Sequence, residues 1–203
     1  MKAALLKKTG PSEEFSNNII VEDVPDPDIK DNEVLINIKF AALNHRDVWI
    51  SKGAYPKINL PVILGSDCAG IIHSKGSAVK CFEIGDEVII NPGFNWGDNE
   101  DFQSKDFKIL GLPDNGTLAE FVAVNQSNVY AKPGHLNFSQ ASGIPLTGIT
   151  SYRALFKKAE LKKVDNVLIP GIGGGVSSSA LVFALSAGAN VYVTSGSDEK
   201  IKK

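Results

Sequence analysis

Apolar and polar residues alternate from Glu33 to Ala42, with Val34, Ile36, Ile38 and Phe40 on one side of a two-residue period. That spacing predicts a half-buried strand. Shorter apolar runs at Ala69 to Ile72, Glu87 to Ile90 and Leu118 to Val124 predict further strands. Turn-forming clusters separate them: Pro25-Asp26-Pro27, Gly76-Ser77, Asn91-Pro92-Gly93 and Pro113-Asp114-Asn115-Gly116. Many short strands punctuated by Gly and Pro predict a small β-barrel or sandwich over residues 1–130.

The pattern changes near Ser139. Helical spacing runs to Phe156, interrupted at Gly143 to Pro145, and residues 131–203 read as the start of an α/β domain. Val167, Leu168 and Ile169 predict a buried strand, glycines from Gly171 to Gly175 a tight turn, and the apolar run after them a helix ending at Gly188. A second strand follows at Val191 to Thr194. A strand, a glycine turn, a helix and a parallel strand form the unit that holds a dinucleotide's pyrophosphate on a helix N-terminus. Glycine suits such a turn because no Cβ blocks the approach of backbone N–H groups to phosphate. Gly171, Gly173, Gly174, Gly175 and Val176 are the candidate phosphate contacts; Ser177 stands where the fingerprint has its third glycine.

Cofactor choice is written where the second strand ends. An Asp or Glu there holds the ribose 2′-hydroxyl of NAD, whereas this chain has Thr194-Ser195-Gly196-Ser197. Without a carboxylate to repel a 2′-phosphate, and with Ser195, Ser197 and Lys200 able to bind one, the segment predicts NADP, with NAD as the alternative. The same serines also suit the N-terminus of a following helix, with Asp198 and Glu199 in its first turn.

Composition adds little that is specific. Apolar residues make up 43% and charged ones 22%, which is ordinary for a globular protein, and 21 Lys plus Arg against 23 Asp plus Glu leave a net charge of −2. That balance argues against nucleic acid as a partner. No segment has the roughly 18 consecutive apolar residues of a membrane span, and the short apolar run after Met1 predicts no signal peptide, so the expected location is the cytoplasm. Cys68 and Cys81 are too few for a disulfide framework or a metal cluster and are expected as buried free thiols. Two parallel strands fall short of a nucleotide-binding domain of about 100 residues or more, so the expectation is a domain that the chain begins and does not complete.

The order of motifs resembles the medium-chain dehydrogenase/reductase superfamily, the alcohol dehydrogenase and quinone oxidoreductase group. The matching segments are ALNHRD (Ala42 to Asp47), GSDCAGIIHSKGSAVKCFEIGDEVII (Gly65 to Ile90), DNGTLAEFVAV (Asp114 to Val124) and IPLTGITSYRAL (Ile144 to Leu155), followed by the glycine turn. The resemblance implies a GroES-like β-barrel followed by the first part of a Rossmann domain. It also implies an oxidoreductase acting on a small molecule, and it leaves homo-oligomerisation open. The catalytic zinc ligands of alcohol dehydrogenases, a Cys, a His and a second Cys, fall on Asn44, Ser66 and Leu146 here. His45 stands beside a ligand position and not on it. The family's structural zinc lobe corresponds to Asn91 to Asp106, where Trp96, Asn99 and Phe102 stand at ligand positions and no cysteine occurs. No zinc is therefore expected.

What remains resembles the zinc-free quinone oxidoreductase branch: an NADP-dependent reductase of quinones, enones or related activated carbonyl compounds. An alcohol dehydrogenase of the same superfamily and a non-catalytic nucleotide-binding protein are the alternatives. The resemblance makes Asn44, Arg46, Asp47 and Asp67 the catalytic candidates, with Asn44 as a hydrogen-bond partner for a carbonyl oxygen; an internal ion-pair network is the plainer account of the three charged residues. Thr150 matches a threonine that approaches the nicotinamide, or else is a helix-packing residue.

Overall fold

The computed structural model describes residues 1–11, 13 and 15–201. They divide into two compact units, Met1–Pro145 and Leu146–Lys203. The first unit is built mainly of antiparallel strands: β1 (Lys2–Leu6), β2 (Ile19–Asp23), β3 (Glu33–Ala42), β4 (Val62–Ile63), β5 (Asp67–Lys75), β6 (Glu87–Ile90), β7 (Gly93–Phe94), β8 (Lys108–Ile109), β9 (Phe121–Asn125) and β10 (Val129–Ala131). Three short helices join them: α1 (Phe15–Asn18), α2 (His45–Ser51) and α3 (Phe138–Ser142). A five-stranded sheet has the order β10-β6-β5-β3-β9, a three-stranded one β2-β1-β4, and β7 pairs with β8.

The long strand occupies Glu33–Ala42, the span that alternation predicts. Its faces do not alternate cleanly, however. Pairing with β5 slips between Leu35 and Ile36 and again between Ile38 and Phe40; each irregularity shifts which side of the strand meets the core. Val34, Leu35 and Ile36 are all buried, so both faces of the strand are covered there, and Phe40, past the second slip, is half exposed, a correction to the expectation of one apolar face through Phe40. The last predicted strand begins later than Leu118, at Phe121, because Leu118 to Glu120 pair elsewhere. Ala4 N–H donates to the Leu118 carbonyl at 2.8 Å and Glu120 N–H to the Lys2 carbonyl at 3.0 Å, which ties this segment to β1.

Three apolar clusters fill this unit. Val34, Ile36, Cys68, Ile72, Val88 and Ile90 belong to one, Leu6, Ile50, Val62, Leu64 and Leu112 form another, and Ala3, Leu5 and Ile63 a smaller third. Complete burial of such side chains contributes about 1.5–3 kcal/mol each. Cys68 lies in this core, as expected of an inert thiol, while Cys81 is exposed, contrary to expectation; it follows Lys80 in a surface turn before β6.

α4 (Pro145–Tyr152) starts at the last residue of the first unit and opens the second, and its last turn widens into a π-helical segment over Arg153–Lys158. Then come β11 (Asn166–Ile169), α5 (Gly175–Ser186), β12 (Asn190–Val193) and α6 (Asp198–Ile201). β11 and β12 pair in parallel, Asn166 with Asn190 through Ile169 with Val193. Ile169, Ala180, Ala184 and Ala189 pack with Leu155 and Phe183 in this unit's own cluster. α5 stops two residues before the expected Gly188, which takes a left-handed φ of 80° just past the C-cap Ala187, as a helix-terminating glycine does. Among the described residues no helix is long and apolar enough to cross a membrane.

Candidate functional site

Asn44 precedes α2 in extended backbone conformation, and its N–H donates to the Asp47 carboxylate at 2.8 Å, so Asp47 caps the helix that carries it. The other Asp47 oxygen accepts Gly65 N–H at 3.3 Å, joining α2 to the strand entry at β5. The Asn44 side chain donates in turn from Nδ2 to Asp67 Oδ2 at 2.9 Å. Asn44, Asp47 and Asp67 are thus one hydrogen-bonded chain, and Asp47 and Asp67 are both buried. With Nδ2 turned to a carboxylate, the amide has its Oδ1 as acceptor and one remaining N–H.

Arg46 points to a different partner set. Its Nη1 donates to Ser66 Oγ at 2.7 Å and to the Leu110 carbonyl at 2.8 Å, while Ser66 Oγ donates to the same carbonyl at 2.7 Å. The Tyr55 ring lies against the guanidinium, 5.3 Å from Cζ to centroid, a distance at which the ring face attracts the cation. The Arg46 Nε is buried without an acceptor among the described residues. A hydroxyl, a carbonyl and an aromatic face therefore hold Arg46, and its charge reaches Asp47 only as a through-space attraction.

Burial pushes the Asp47 carboxyl above the ordinary carboxylate range; the N–H groups of Asn44 and Gly65 and the Arg46 charge pull the other way without cancelling it. A carboxyl that is harder to ionise in the folded state costs stability on ionisation. Its contribution should therefore decline as pH rises from the usual carboxylate value through the raised one, and remain lost above it. Comparing urea-unfolding free energies of the parent and Asp47→Asn between pH 3 and 7 should show this declining difference; a difference that grows with pH in that window would contradict it. Burial, with the Asp67 charge second, likewise pushes the Cys68 thiol up, which leaves it a poor nucleophile.

The lobe over Asn91 to Asp106 closes without thiolates. Trp96 Nε1 donates to the Asn99 carbonyl at 2.9 Å and its ring meets Phe107 edge-on at 5.1 Å. Ser104 Oγ donates to the Asn95 carbonyl at 2.7 Å and Ser104 N–H to the Trp96 carbonyl at 2.6 Å. Among the described residues no group of three or more His, Cys, Asp or Glu is arranged to hold a metal.

In the second unit the turn between β11 and α5 has Gly171 at φ 66°, and an added Cβ there would meet nothing within 4 Å. Gly174 is the N-cap of α5, which places Gly175 and Val176 in its first turn. Their N–H groups have no intrahelical acceptor. The glycine under steric pressure is Gly175, where a Cβ would come within 2.9 Å of Thr147 Cγ2. Ser177 Oγ donates back to the Pro170 carbonyl at 3.0 Å and Ser179 Oγ to Thr147 Oγ1 at 3.2 Å. Thr147 is therefore the α4 threonine that packs on α5. Thr150 is exposed, with its hydroxyl bonded to the Leu146 carbonyl at 2.7 Å.

Beyond β12, Ser197 N–H donates to Ser195 Oγ at 3.2 Å, closing a short turn before α6. That turn leads into a helix whose first turn carries Asp198 and Glu199. The Lys200 side chain lies outside the described residues. Thr194, at the strand end, carries a contact that the sequence did not flag, because its hydroxyl accepts Gly171 N–H at 3.2 Å. Open space at Gly171 and the amides at the start of α5 could hold a dinucleotide's pyrophosphate.

Comparison with known proteins agrees with this geometry. Residues 30–134 match the model of the alcohol dehydrogenase GroES-like domain. A zinc-type alcohol dehydrogenase-like protein of Schizosaccharomyces pombe is 41% identical over 173 residues, 84% of this chain and 50% of that protein. Crotonyl-CoA carboxylase/reductase of Cereibacter sphaeroides is 33% identical over 195 residues, 89% of this chain and 45% of that protein. A crystal structure of an NAD-dependent alcohol dehydrogenase superposes with a TM-score of 0.92 at 37% identity, covering all of this chain and 60% of that one. The chain thus spans about half the length of the curated relatives it matches. The antiparallel GroES-like unit, the glycine turn after it and these similarities together mean that the chain belongs to the medium-chain dehydrogenase/reductase superfamily.

Proposed function

We propose that the protein is an NADP-dependent oxidoreductase that reduces quinones, enones or related activated carbonyl compounds by hydride transfer without zinc. The observation that carries this reading is the Arg46 guanidinium bound to Ser66 Oγ. Ser66 stands at a position where the family resemblance puts a zinc ligand, and a fixed cation bound to it would repel a second cation. Asn44 donates its amide N–H to Asp67, and Leu146 offers an alkyl group. This donor set does not fit zinc, which takes thiolate, imidazole or carboxylate.

The chain's own residues supply positioning and charge. The amides of Gly173, Gly175 and Val176 would bind the pyrophosphate, and Ser195 and Ser197 the 2′-phosphate. The nicotinamide, when bound, supplies the hydride. Asn44 and Arg46 would orient and polarise the acceptor's oxygen, with Asp47 and Asp67 holding Asn44 in place through the hydrogen bonds above. The name of the Cereibacter relative, a crotonyl-CoA carboxylase/reductase, supports reduction of an activated double bond. An alcohol substrate would instead need a metal or a base to take its proton, and the buried Asp47 carboxylate is occupied by two N–H donors.

The test is to assay the full-length protein with NADPH and a simple quinone or enone, before and after dialysis against a zinc chelator, with elemental analysis of both samples. Turnover that survives chelation in a protein with far less than one zinc per chain is expected. About one zinc per chain, activity lost on chelation and alcohol as the preferred substrate would sink the reading.

A further inference from the structure

Three hydrogen bonds join the end of β12 to the last residue of β11 and to the glycine turn, and one residue makes all of them. Thr194 N–H donates to the Ile169 carbonyl at 3.2 Å, the Thr194 carbonyl accepts Ile172 N–H at 3.0 Å, and Thr194 Oγ1 accepts Gly171 N–H at 3.2 Å. The first two continue the parallel pairing of β11 with β12 past its last register pair, Ile169 with Val193. The third needs a side-chain oxygen at that point. Other groups of the turn are also engaged: Gly174 N–H donates to the Gly171 carbonyl at 3.1 Å, and Ser178 Oγ lies within 3.1 Å of the Ile172 and Gly174 carbonyls.

These contacts sort the amides of the turn into two classes. The N–H groups of Gly171, Ile172 and Gly174 are spent inside the fold. Those of Gly173 and of Gly175, Val176 and Ser177 at the start of α5 have no acceptor among the described residues. We infer that Thr194 is a positioning residue: by holding Gly171 N–H with its hydroxyl and Ile172 N–H with its carbonyl, it fixes the turn so that the Gly173 and first-turn amides are the ones presented to a dinucleotide's pyrophosphate. The inference rests on the cofactor reading above. It separates two functions within four residues of chain. Thr194 acts through the glycine turn on the part that NADPH and NADH share, whereas Ser195 and Ser197 face the ribose substituent that tells them apart.

The separation gives the test its discriminating power. Thr194→Val keeps the β-branched shape at the strand end and removes the acceptor for Gly171 N–H, and Thr194→Ser restores the acceptor. In the full-length protein, binding of NADPH and of NADH is measured by titration calorimetry for the parent and both variants, with amide exchange at Gly171 followed in the same samples. Thr194→Val is expected to weaken both dinucleotides by the same factor, roughly fivefold to twentyfold for one lost hydrogen bond and a loosened turn. Exchange at Gly171 should accelerate while exchange at Val34 and Ile36 stays as in the parent. Thr194→Ser should return both affinities to within about twofold of the parent. Parent-strength binding in Thr194→Val overturns the role, as does a loss confined to NADPH, or a Ser variant as weak as the Val one. A parent that binds neither dinucleotide overturns the cofactor reading itself, and this role with it.

Discussion

Substituting alanine for Gly116 is expected to unfold the first unit, although the change adds one methyl group. An added Cβ would stand 2.0 Å from the Gly65 carbonyl oxygen and 2.7 Å from both Gly111 Cα and the Leu64 carbonyl oxygen. All three are backbone atoms and none can rotate aside. Gly65 and Gly111 are equally constrained: both have φ of 91°, and a Cβ on Gly111 would approach Gly65 O to 2.5 Å. Three segments therefore cross at van der Waals contact because none of them carries a side chain there. Gly116 N–H donates to the Ile63 carbonyl at 2.7 Å and Thr117 N–H to the Gly65 carbonyl at 3.0 Å, so moving one strand away breaks these bonds as well. The crossing adjoins the candidate site, since Gly65 N–H holds Asp47 and the carbonyl of Leu110, next to Gly111, holds Arg46. A loss of about 3–5 kcal/mol is expected, at the upper end of overpacking and broken backbone bonds. Gly134→Ala is the control, because nothing lies within 4 Å of its Cβ and its φ is not left-handed; it should leave the urea midpoint nearly unchanged. A Gly116→Ala protein with the parent's midpoint would mean that the crossing is not packed as described.

How much of this the sequence discloses depends on the distance over which each contact acts. Alternation from Val34 to Phe40 places β3, and the run at Val167 to Ile169 places β11, because both signals are local. The register slips that expose Phe40 depend on β5 and leave no mark on β3 itself. β1 is a five-residue run, KAALL, too short to show a period, and it becomes a strand through its partners β2 and β4. At the candidate site the motif around Asn44 and Asp47 is legible, since a cap and its carboxylate stand three residues apart. Arg46 is not, because Ser66 and Leu110 lie 20 and 64 positions away. An ion-pair network of Arg46, Asp47 and Asp67 is the expectation from charge alone, whereas the fold gives the Arg46 Nη1 a hydroxyl and a carbonyl. The glycine turn shows the same limit. Its phosphate-binding grammar is local, but the pressure on Gly175 comes from Thr147 and the restraint on Gly171 from Thr194, 23 residues on.

The parent protein is expected to bind NADPH at least tenfold more tightly than NADH, and Ser195→Asp to invert that order. The substitution should fold, because Ser195 Oγ accepts Ser197 N–H at 3.2 Å and an aspartate oxygen accepts the same N–H in the equivalent turn. What changes is the charge at the place where β12 ends. Two unit charges about 4 Å apart interact by about 1 kcal/mol in water and about 4 kcal/mol at the effective dielectric of a protein surface. A 2′-phosphate carrying more than one charge would therefore lose roughly tenfold to a thousandfold in affinity, each 1.4 kcal/mol being a factor of ten. NADH presents a 2′-hydroxyl instead and gains a carboxylate acceptor of the kind that holds ribose in NAD-binding members of the fold. The ratio of the two dissociation constants should accordingly move by about two orders of magnitude, and raising the salt concentration should shrink the change by screening the repulsion. Calorimetric titration of both proteins with both dinucleotides decides it. Equal affinities in the parent, left equal by the substitution, would take the Ser195–Ser197 turn out of the cofactor site and leave the preference to residues beyond it.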